Sequence, residues 1–513
     1  MNYDPSWTEK GYEIPEYDRD QVRKATKENP TWIHFGAGNI FRGFPAAGLD
    51  KMLNNGEYDK GIIVAEGFDY EIIEKAYKPY DDLSLLVLLK ADGTIDKKVI
   101  GSVVESIAAD AEEADQWERL QEIFKNPSLQ MASLTITEKG YSLVDSQGEC
   151  TSVVKDDFKK GPKNPAHTMG KITSLLYERY KAGKAPISMV SMDNASHNGD
   201  ILKASIDAYA KAWVEGGFFE EGFIDYINNK SKVGFPWSMI DKITPRPEDN
   251  VKTMLEEDDF KDTELIITDK NTYTAPFVNA EETEYLVIEE LFPNGRPPLE
   301  KAGFIFTDQE TVDKVERMKV CTCLNPLHTA LAIFGNLLSY TSIWEEMRDP
   351  ELVKLVNKIG YDEGMPVVVN PVVIDPEDFI RDVLELRLPN PFMPDSPQRI
   401  ATDTSQKLSI RFGETIKAYD KSDELDIPLT LAGYCRYLMG IDDNGEEFTP
   451  SPDPLLEELQ GYVKDVRLGD TEIEEDLLKP ILSNDKIFGV DLYEVGLGEK
   501  IEGMFLELIE GKG

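Results

Sequence analysis

Cysteine is scarce in this chain, with four in 513 residues: Cys150, Cys321, Cys323 and Cys435. Four are too few for a disulfide framework and suit a reducing compartment. Histidine is as rare and as scattered, at 34, 167, 197 and 328. No HExxH helix or clustered ligand set exists, and Cys321-x-Cys323 has no second pair at zinc-knuckle spacing, so no metal is expected. A run of ~18 apolar residues is missing, which argues against a transmembrane helix. The polar, acidic first twenty residues do not read as a secretory signal. Basic residues are outnumbered, 55 against 96 acidic ones, for a net charge of −41. Such a surface repels nucleic acid and anionic membranes, so neither is an expected partner. The expected setting is the cytoplasm, and the expected state a monomer or weak homo-oligomer.

Apolar residues are plentiful at 41%, so the acidity does not imply disorder. A single core stops growing near ~250–300 residues, which predicts more than one domain here. The character of the chain changes near residue 301. Before it, short apolar runs end in glycine-rich or polar loops. After it, apolar residues recur at three- and four-residue spacing in the segments 311–338, 350–360, 376–386, 398–418, 428–439 and 455–466. The reading is α/β: a Rossmann-like dinucleotide-binding domain over 1–300 and a mainly helical substrate and catalytic domain over 301–513.

The apolar strand Trp32–Phe35 runs into Gly36-Ala37-Gly38-Asn39 and then a helix. Glycines there permit a tight turn and close backbone approach to a pyrophosphate. The third glycine of the usual pattern is replaced by Phe41. A second strand, 61–65, ends in Glu66-Gly67-Phe68-Asp69, and either Glu66 or Asp69 is placed to bind ribose hydroxyls. An acid there repels a 2′-phosphate, and no basic residue is adjacent in sequence, so NAD is expected over NADP. A hairpin with an Asp92-Gly93 turn follows, then a buried strand over 131–136 and a helix over 168–181. The strand 187–191 ends in Asp193-Asn194-Ala195-Ser196-His197-Asn198, a polar cluster where open α/β sheets bind ligands, although it also suits a helix cap. Residues 239–245 read as a polar loop.

The segment Lys319-Val-Cys-Thr-Cys-Leu-Asn325-Pro-Leu-His328 carries chemistry without a metal. A lysine of lowered pKa acts as general base, an Asn amide donates to a developing alkoxide, and a neutral His orients a hydroxyl. That set removes a proton from a secondary alcohol while hydride leaves its carbon. A helix start with a capping Asn and a core His is the plainer alternative. The two cysteines read as packing residues.

Together, residues 34–44, 135–141, 193–199, 240–245, 292–303, 319–328 and 399–407 resemble, in order, segments of the mannitol dehydrogenase family, the long-chain polyol and uronate oxidoreductases. The resemblance implies Lys319 as general acid/base, with Asn194 and Asn325 at the substrate oxygen and Glu316 in a proton path. It implies His328, Arg399 and Lys407 on the substrate, with Asp241 in support, and Gly36, Gly38, Asn39, Glu66, Asp69 and Glu138 on the cofactor. Residues so far apart share one pocket only if it lies between the two domains. The family spaces its residues K-x4-N-x2-H, whereas this chain has K-x5-N-x2-H. In an unbroken helix the extra residue adds ~100° of rotation, so a bulge or other irregularity is expected before Asn325. Failing that, Lys314 is the alternative base. The implied activity interconverts a linear sugar acid or polyol with its keto form, with D-fructuronate/D-mannonate ahead of mannitol or tagaturonate. A catalytically inactive dinucleotide-binding protein is the alternative of a different class.

Overall fold

The computed structural model describes residues 5–419, 426–474 and 476–511. It divides into two compact units, Met1–Lys90 with Thr94–Asp313, and Lys314–Gly513 with Ala91–Gly93.

The first unit is built on six parallel strands: β1 (Trp32–Phe35), β2 (Ile62–Glu66), β3 (Val103–Ala108), β4 (Met131–Leu134), β5 (Ile187–Ser191) and β6 (Val233–Gly234). Their spatial order is β3-β2-β1-β4-β5-β6. Strand order therefore reverses between β1 and β4, and such a switch point opens a crevice at the carboxyl ends of the strands. Alternate side chains go to opposite faces. Ile33, Phe35, Ile63, Ala65, Ala132 and Leu134 enter one core, and Trp32, Ile62, Val64 and Met131 enter the other. Both faces are covered, which is why these strands read as continuous apolar runs. Between β1 and β2 lies the short helix α1 (Asn39–Gly43), and α2 (Thr168–Lys181) and α3 (Asn198–Glu215) flank β5 in sequence.

The expected hairpin forms by antiparallel pairing of Ser84–Leu89 with Ile95–Ile100. One expectation is corrected. Ser238–Asp241, within the stretch read as a loop, is a buried strand paired with Tyr285–Glu289. Four residues are too few to display a period, so the polar flanks dominated the reading.

The second unit is helical. A helical stretch, Gln309–Leu337, begins in the last residues of the first unit and continues into the second. By length and composition alone it would cross a bilayer, but 83% of its apolar window is buried inside the protein. It consists of α4 (Gln309–Met318), a π-helical segment Lys319–Cys323, and α5 (Asn325–Leu337). Three other π-segments occur among the described residues of this unit, at Lys358–Gly364, Val383–Arg387 and Ser409–Gly413. The segments at 319, 358 and 409 pack together and against α5. The expected helix over 398–418 is broken into α6 (Pro397–Ile400), a 3-10 turn, the π-segment at 409 and a last turn. The break falls where Asp403 takes a left-handed φ of 55°.

Candidate active site

The glycine loop after β1 is shaped by close packing. Gly36 has φ +105°, and a Cβ there would lie 2.1 Å from the Thr135 carbonyl oxygen. Only glycine fits. The side of Gly38 where a Cβ would stand is open. Between them Ala37 is gripped from both ends: its N–H donates to Glu66 Oε2 at 2.8 Å, and its carbonyl accepts from Tyr77 Oη at 2.9 Å. Asn39 Oδ1 accepts from Arg42 Nη2 at 2.9 Å, which turns the donating amide nitrogen of Asn39 outward from that bond. Arg42 is wholly buried and bonds only neutral acceptors: Asn39, Thr274 and the Ala275 carbonyl. An open glycine, an oriented amide and a buried cation fit a dinucleotide pyrophosphate.

At the end of β2, Glu66 Oε1 accepts from the N–H groups of Phe68 and Asp69 at 2.9 and 3.1 Å. With Ala37 that makes three bonds, leaving acceptor capacity for a ribose hydroxyl. Asp69 is buried and accepts from Thr268 Oγ1 at 2.6 Å. No basic residue is adjacent in sequence, but the fold brings two lysines to this loop. Lys171 Nζ donates to the Gly67 carbonyl at 2.7 Å and to Tyr70 Oη at 2.5 Å, and Lys270 Nζ donates to the Phe68 carbonyl. Both lysines come from far along the chain, so adjacency in sequence did not reveal them. Burial pushes the Lys171 ammonium down to about 8.

The loops after β4 and β5 are tied by Asp193. Its carboxylate accepts from the N–H groups of Ile136 and Thr137, both at 2.9 Å, and from Tyr141 Oη at 2.6 Å. Burial raises its pKa against the pull of those donors. Asn198 Nδ2 bonds the carbonyls of Ser191 and Asp193, and Gly199 allows the backbone at Phe235 to approach to 2.5 Å from where a Cβ would stand. Asn194 is thus carried on a braced loop. Beside it lies a cavity of about 610 Å³ lined by Glu138, Tyr141, Ala195, Ser196 and Asn198, of the size small ligands occupy. Asp241 is buried at the end of its strand.

In the second unit the extra residue has a definite place. Leu324 N–H bonds the Lys319 carbonyl at 3.1 Å, a five-residue step, and His328 N–H then bonds the Leu324 carbonyl at 3.0 Å. The π-turn takes up one extra residue, and Leu324, at φ −130° and ψ −61°, is the bend between it and α5. Lys319 is buried at the start of the turn, while Glu316, one turn earlier, is half-buried. Cys321 and Cys323 are free and buried in the same segment, and burial pushes their thiols up to about 11 and about 12. Asn325 opens α5, and its carbonyl accepts from Thr329 Oγ1 at 2.9 Å. Arg411 Nη1 donates to that same hydroxyl at 2.6 Å.

His328 lies in a cationic neighbourhood. Burial, then Arg411, Arg399 and Arg387, hold its pKa down to about 3. Its Nε2 lies 3.2 Å from Asp395 Oδ2 but makes no aligned hydrogen bond. The buried Asp395 takes Arg399 as its partner. Lys407 Nζ donates to the Thr402 carbonyl at 2.5 Å. The structure thus gathers Asn325, His328 and Arg399 into one neighbourhood of the helical unit. Sequence reasoning missed Asp395, Arg411 and Arg42. The available signals were spacings: Asp395 stands four residues before Arg399, and Arg411 four after Lys407.

Comparison with known proteins agrees with this arrangement. Residues 30–301 match the model of the mannitol dehydrogenase Rossmann domain, and residues 311–507 match that of the mannitol dehydrogenase C-terminal domain. A D-mannonate oxidoreductase of Thermotoga maritima is 55% identical over 99% of this chain and 95% of its own length. The mannitol 2-dehydrogenase of Pseudomonas fluorescens, solved as a ternary complex with NAD and D-mannitol, is 26% identical with a TM-score of 0.68, covering 100% of this chain and 98% of that one. A substrate-free D-sorbitol dehydrogenase shares the fold, with a TM-score of 0.77 at 24% identity over 99% of this chain and 98% of its own. With both family models matched over most of its length, this chain belongs to the mannitol dehydrogenase family.

Proposed function

We propose that this chain is a metal-independent, NAD-dependent oxidoreductase acting on the secondary alcohol of a linear sugar acid, the D-mannonate/D-fructuronate pair. The observation that carries the reading is the π-turn at Lys319–Cys323. It takes up the residue by which this chain exceeds the family spacing, which supports reading Lys319 and Asn325 as the family's pair. The 55% identity to a D-mannonate oxidoreductase supports the choice of substrate. Mannitol 2-dehydrogenase activity is the second reading, favoured by the P. fluorescens neighbour, and tagaturonate reduction is a further alternative. An inactive dinucleotide-binding protein was motivated only by the longer spacing, which the π-turn accounts for.

The bound nicotinamide supplies or accepts the hydride. In the oxidising direction Lys319 takes the hydroxyl proton. Asn194 and Asn325 donate to the oxygen as charge develops there. Glu316, half-buried one turn before the lysine, relays the proton outward. His328 is held neutral, so its ring is available to orient a substrate hydroxyl. Gly36, Gly38 and Asn39 would hold the pyrophosphate, Glu66 or Asp69 the ribose, and Glu138 the cofactor near the cavity after β4. Asp241 supports the pocket. The reading gives residues 1–300 the cofactor together with Asn194 and Asp241 of the substrate site, and residues 301–513 the rest of the substrate site. Four free cysteines suit the cytoplasm, and a monomer or weak homo-oligomer is the state that sizing chromatography should report. The deciding experiment follows NADH oxidation with fructuronate, tagaturonate, fructose and fructose phosphates. Fructuronate should give the highest kcat/KM; a clear preference for fructose would replace the uronate reading with the polyol one.

A further inference from the structure

We propose that Lys407 and Arg411 form a clamp for the substrate carboxylate, and that this clamp sets the preference for a sugar acid over a neutral polyol. The inference rests on the function proposed above and adds Arg411 as a specificity-determining residue. The two residues stand one helical turn apart, with the Arg411 N–H on the Lys407 carbonyl at 3.0 Å. Like charges at that spacing repel each other, so the pair is unfavourable unless something anionic lies between. Arg399 already has the buried carboxylate of Asp395. Among the described residues Lys407 and Arg411 bond only neutral oxygens, the Thr402 carbonyl and the Thr329 hydroxyl. Asp403 and Asp453 act on Lys407 only through longer-range attraction.

The charge count is informative because the chain as a whole is so acidic. His328 is neutral and Arg399 pairs with Asp395; Lys407 and Arg411 are the cations bonded only to neutral oxygens, with Arg387 adding positive charge at His328 and Asp403 and Asp453 acting on Lys407 from longer range. In a protein of net charge −41, a half-buried pair left without a carboxylate partner is a local attraction for an anion. The guanidinium of Arg411 keeps further donors after its bond to Thr329, and a planar fork matches a carboxylate in two hydrogen bonds. Thr329 also joins Arg411 to the Asn325 carbonyl, so a carboxylate held there is fixed to the turn that carries Asn325 and His328. A neutral polyol gains nothing from these charges, so the clamp discriminates by charge.

The test is steady-state reduction of fructuronate and of fructose by wild type, Arg411→Gln and Arg411→Lys, with NADH affinity from fluorescence titration. For Arg411→Gln, kcat/KM for fructuronate should fall about 10- to 100-fold more than for fructose, chiefly through KM, the scale of a lost charged hydrogen bond. NADH affinity should stay unchanged. Arg411→Lys should fall between, because it keeps the charge and loses the fork. Equal losses on both substrates, or an unmoved KM for fructuronate, would overturn the clamp. Should the glutamine variant not fold, the lysine variant decides by the same ratio. Wild type that reduces fructose but no sugar acid sinks the parent reading, and the clamp with it, before any variant is made. Wild type active on fructuronate with an indifferent Arg411→Gln sinks the clamp alone.

Discussion

Two histidines, one in each unit, are held neutral to about pH 3 by opposite designs. His34 on β1 has both ring nitrogens engaged, Nδ1 with Ser133 Oγ at 2.6 Å and Nε2 with Thr135 Oγ1 at 2.8 Å. Its ring stacks on Phe41 at 4.2 Å, and burial alone lowers its pKa to about 3. His328 reaches about 3 by burial together with three arginines, and its Nε2 makes no aligned bond. A buried neutral imidazole is therefore not by itself a sign of a site. The difference lies in whether its polar atoms are used up and whether unneutralised charge surrounds it. His34 completes the β1–β4 junction, whereas the buried Nε2 of His328, 3.2 Å from Asp395, is left without an aligned hydrogen bond.

The same contrast separates two buried arginines. Arg179 in the first unit spends its guanidinium on five carbonyls, those of Phe124, Asn126, Leu129, Ala185 and Pro186. Arg411 in the second bonds one hydroxyl. The first is a structural staple. The second keeps donors that no described residue engages.

The sharpest way to break this contrast is to remove the base. If the helical unit carries the chemistry, Lys319→Ala should cut turnover at least ~10²-fold, the usual scale for a general base. NADH affinity, read by fluorescence titration, should stay nearly intact because the cofactor residues lie in the other unit. Near-normal turnover would remove Lys319 from the mechanism. Loss of both activity and NADH binding would mean that Lys319 holds up the fold.

The histidines themselves should dissociate. His34→Ala strands the hydroxyls of Ser133 and Thr135 and opens a cavity under Phe41. It should cost about 2–3 kcal/mol of stability in denaturant melts, with turnover per folded molecule retained. His328→Ala should do the reverse, raising substrate KM while leaving stability within about 1 kcal/mol, since no aligned hydrogen bond is lost. Equal stability losses would erase the distinction.

Protonation sharpens it further. Both folded-state values lie near 3, below the ordinary 6.5 of an unfolded imidazole. Above pH 6.5 neither state binds the proton. Between 6.5 and 3 the unfolded chain binds it and the native one does not, so each histidine withdraws stability as pH falls. Asp50 and Glu363 are raised to about 6 and about 7 by burial and act in the opposite sense, so the clean quantity is a difference between proteins. Replacing His34 by Asn removes its titration. The stability gap between wild type and His34→Asn should therefore shrink by about 2 kcal/mol from pH 6.5 to pH 5. A gap that does not change would mean His34 protonates in the native state. For His328 part of the depression is electrostatic, so added salt should weaken its pH effect and leave that of His34 alone.

Much of the first unit was legible because its signals are local. A strand, two glycines and a helix start lie within about a dozen residues, and an acid ends the next strand. The longer Lys319-to-Asn325 spacing also told of an irregularity, since an α-helix has a fixed angle per residue. The other three π-segments of the helical unit left no such mark. A single inserted residue blurs the 3.6 period without erasing it, and no second motif flanks them to reveal the offset. The broken helix at 398–418 escaped because the left-handed turn at Asp403 leaves the three- and four-residue spacing of the apolar residues on either side intact. Beyond their spacing to Arg399 and Lys407, Asp395 and Arg411 left no mark, because what makes them informative, a carboxylate paired with an arginine and a guanidinium bonded only to a hydroxyl, is a tertiary fact. Lys171 lies 104 residues beyond Gly67 and Lys270 lies 202 beyond Phe68, so no local reading could place them at the end of β2.

Those two lysines set up the smallest expected effect. A 2′-phosphate at the end of β2 would meet the carboxylates of Glu66 and Asp69. The counter-charges nearby are already committed, Lys171 to Gly67 and Tyr70, and Lys270 to Phe68. Lys171 is also buried, with its pKa down to about 8, which weakens its hold on a proton near neutral pH. Repulsion should therefore prevail, and NADH should exceed NADPH in kcat/KM by about tenfold, the worth of one poorly compensated charge near a protein surface. Lys270 is the exposed member of the pair and the one free to swing toward a phosphate. If it did so, Lys270→Ala would depress NADPH use selectively. The expected result is an NADH-to-NADPH ratio unchanged within about twofold, because breaking its bond to Phe68 loosens the loop for both cofactors alike. A ratio that rises sharply would show Lys270 reaching the 2′-position, and the end of β2 would then be as unfinished as the cation pair beside α5.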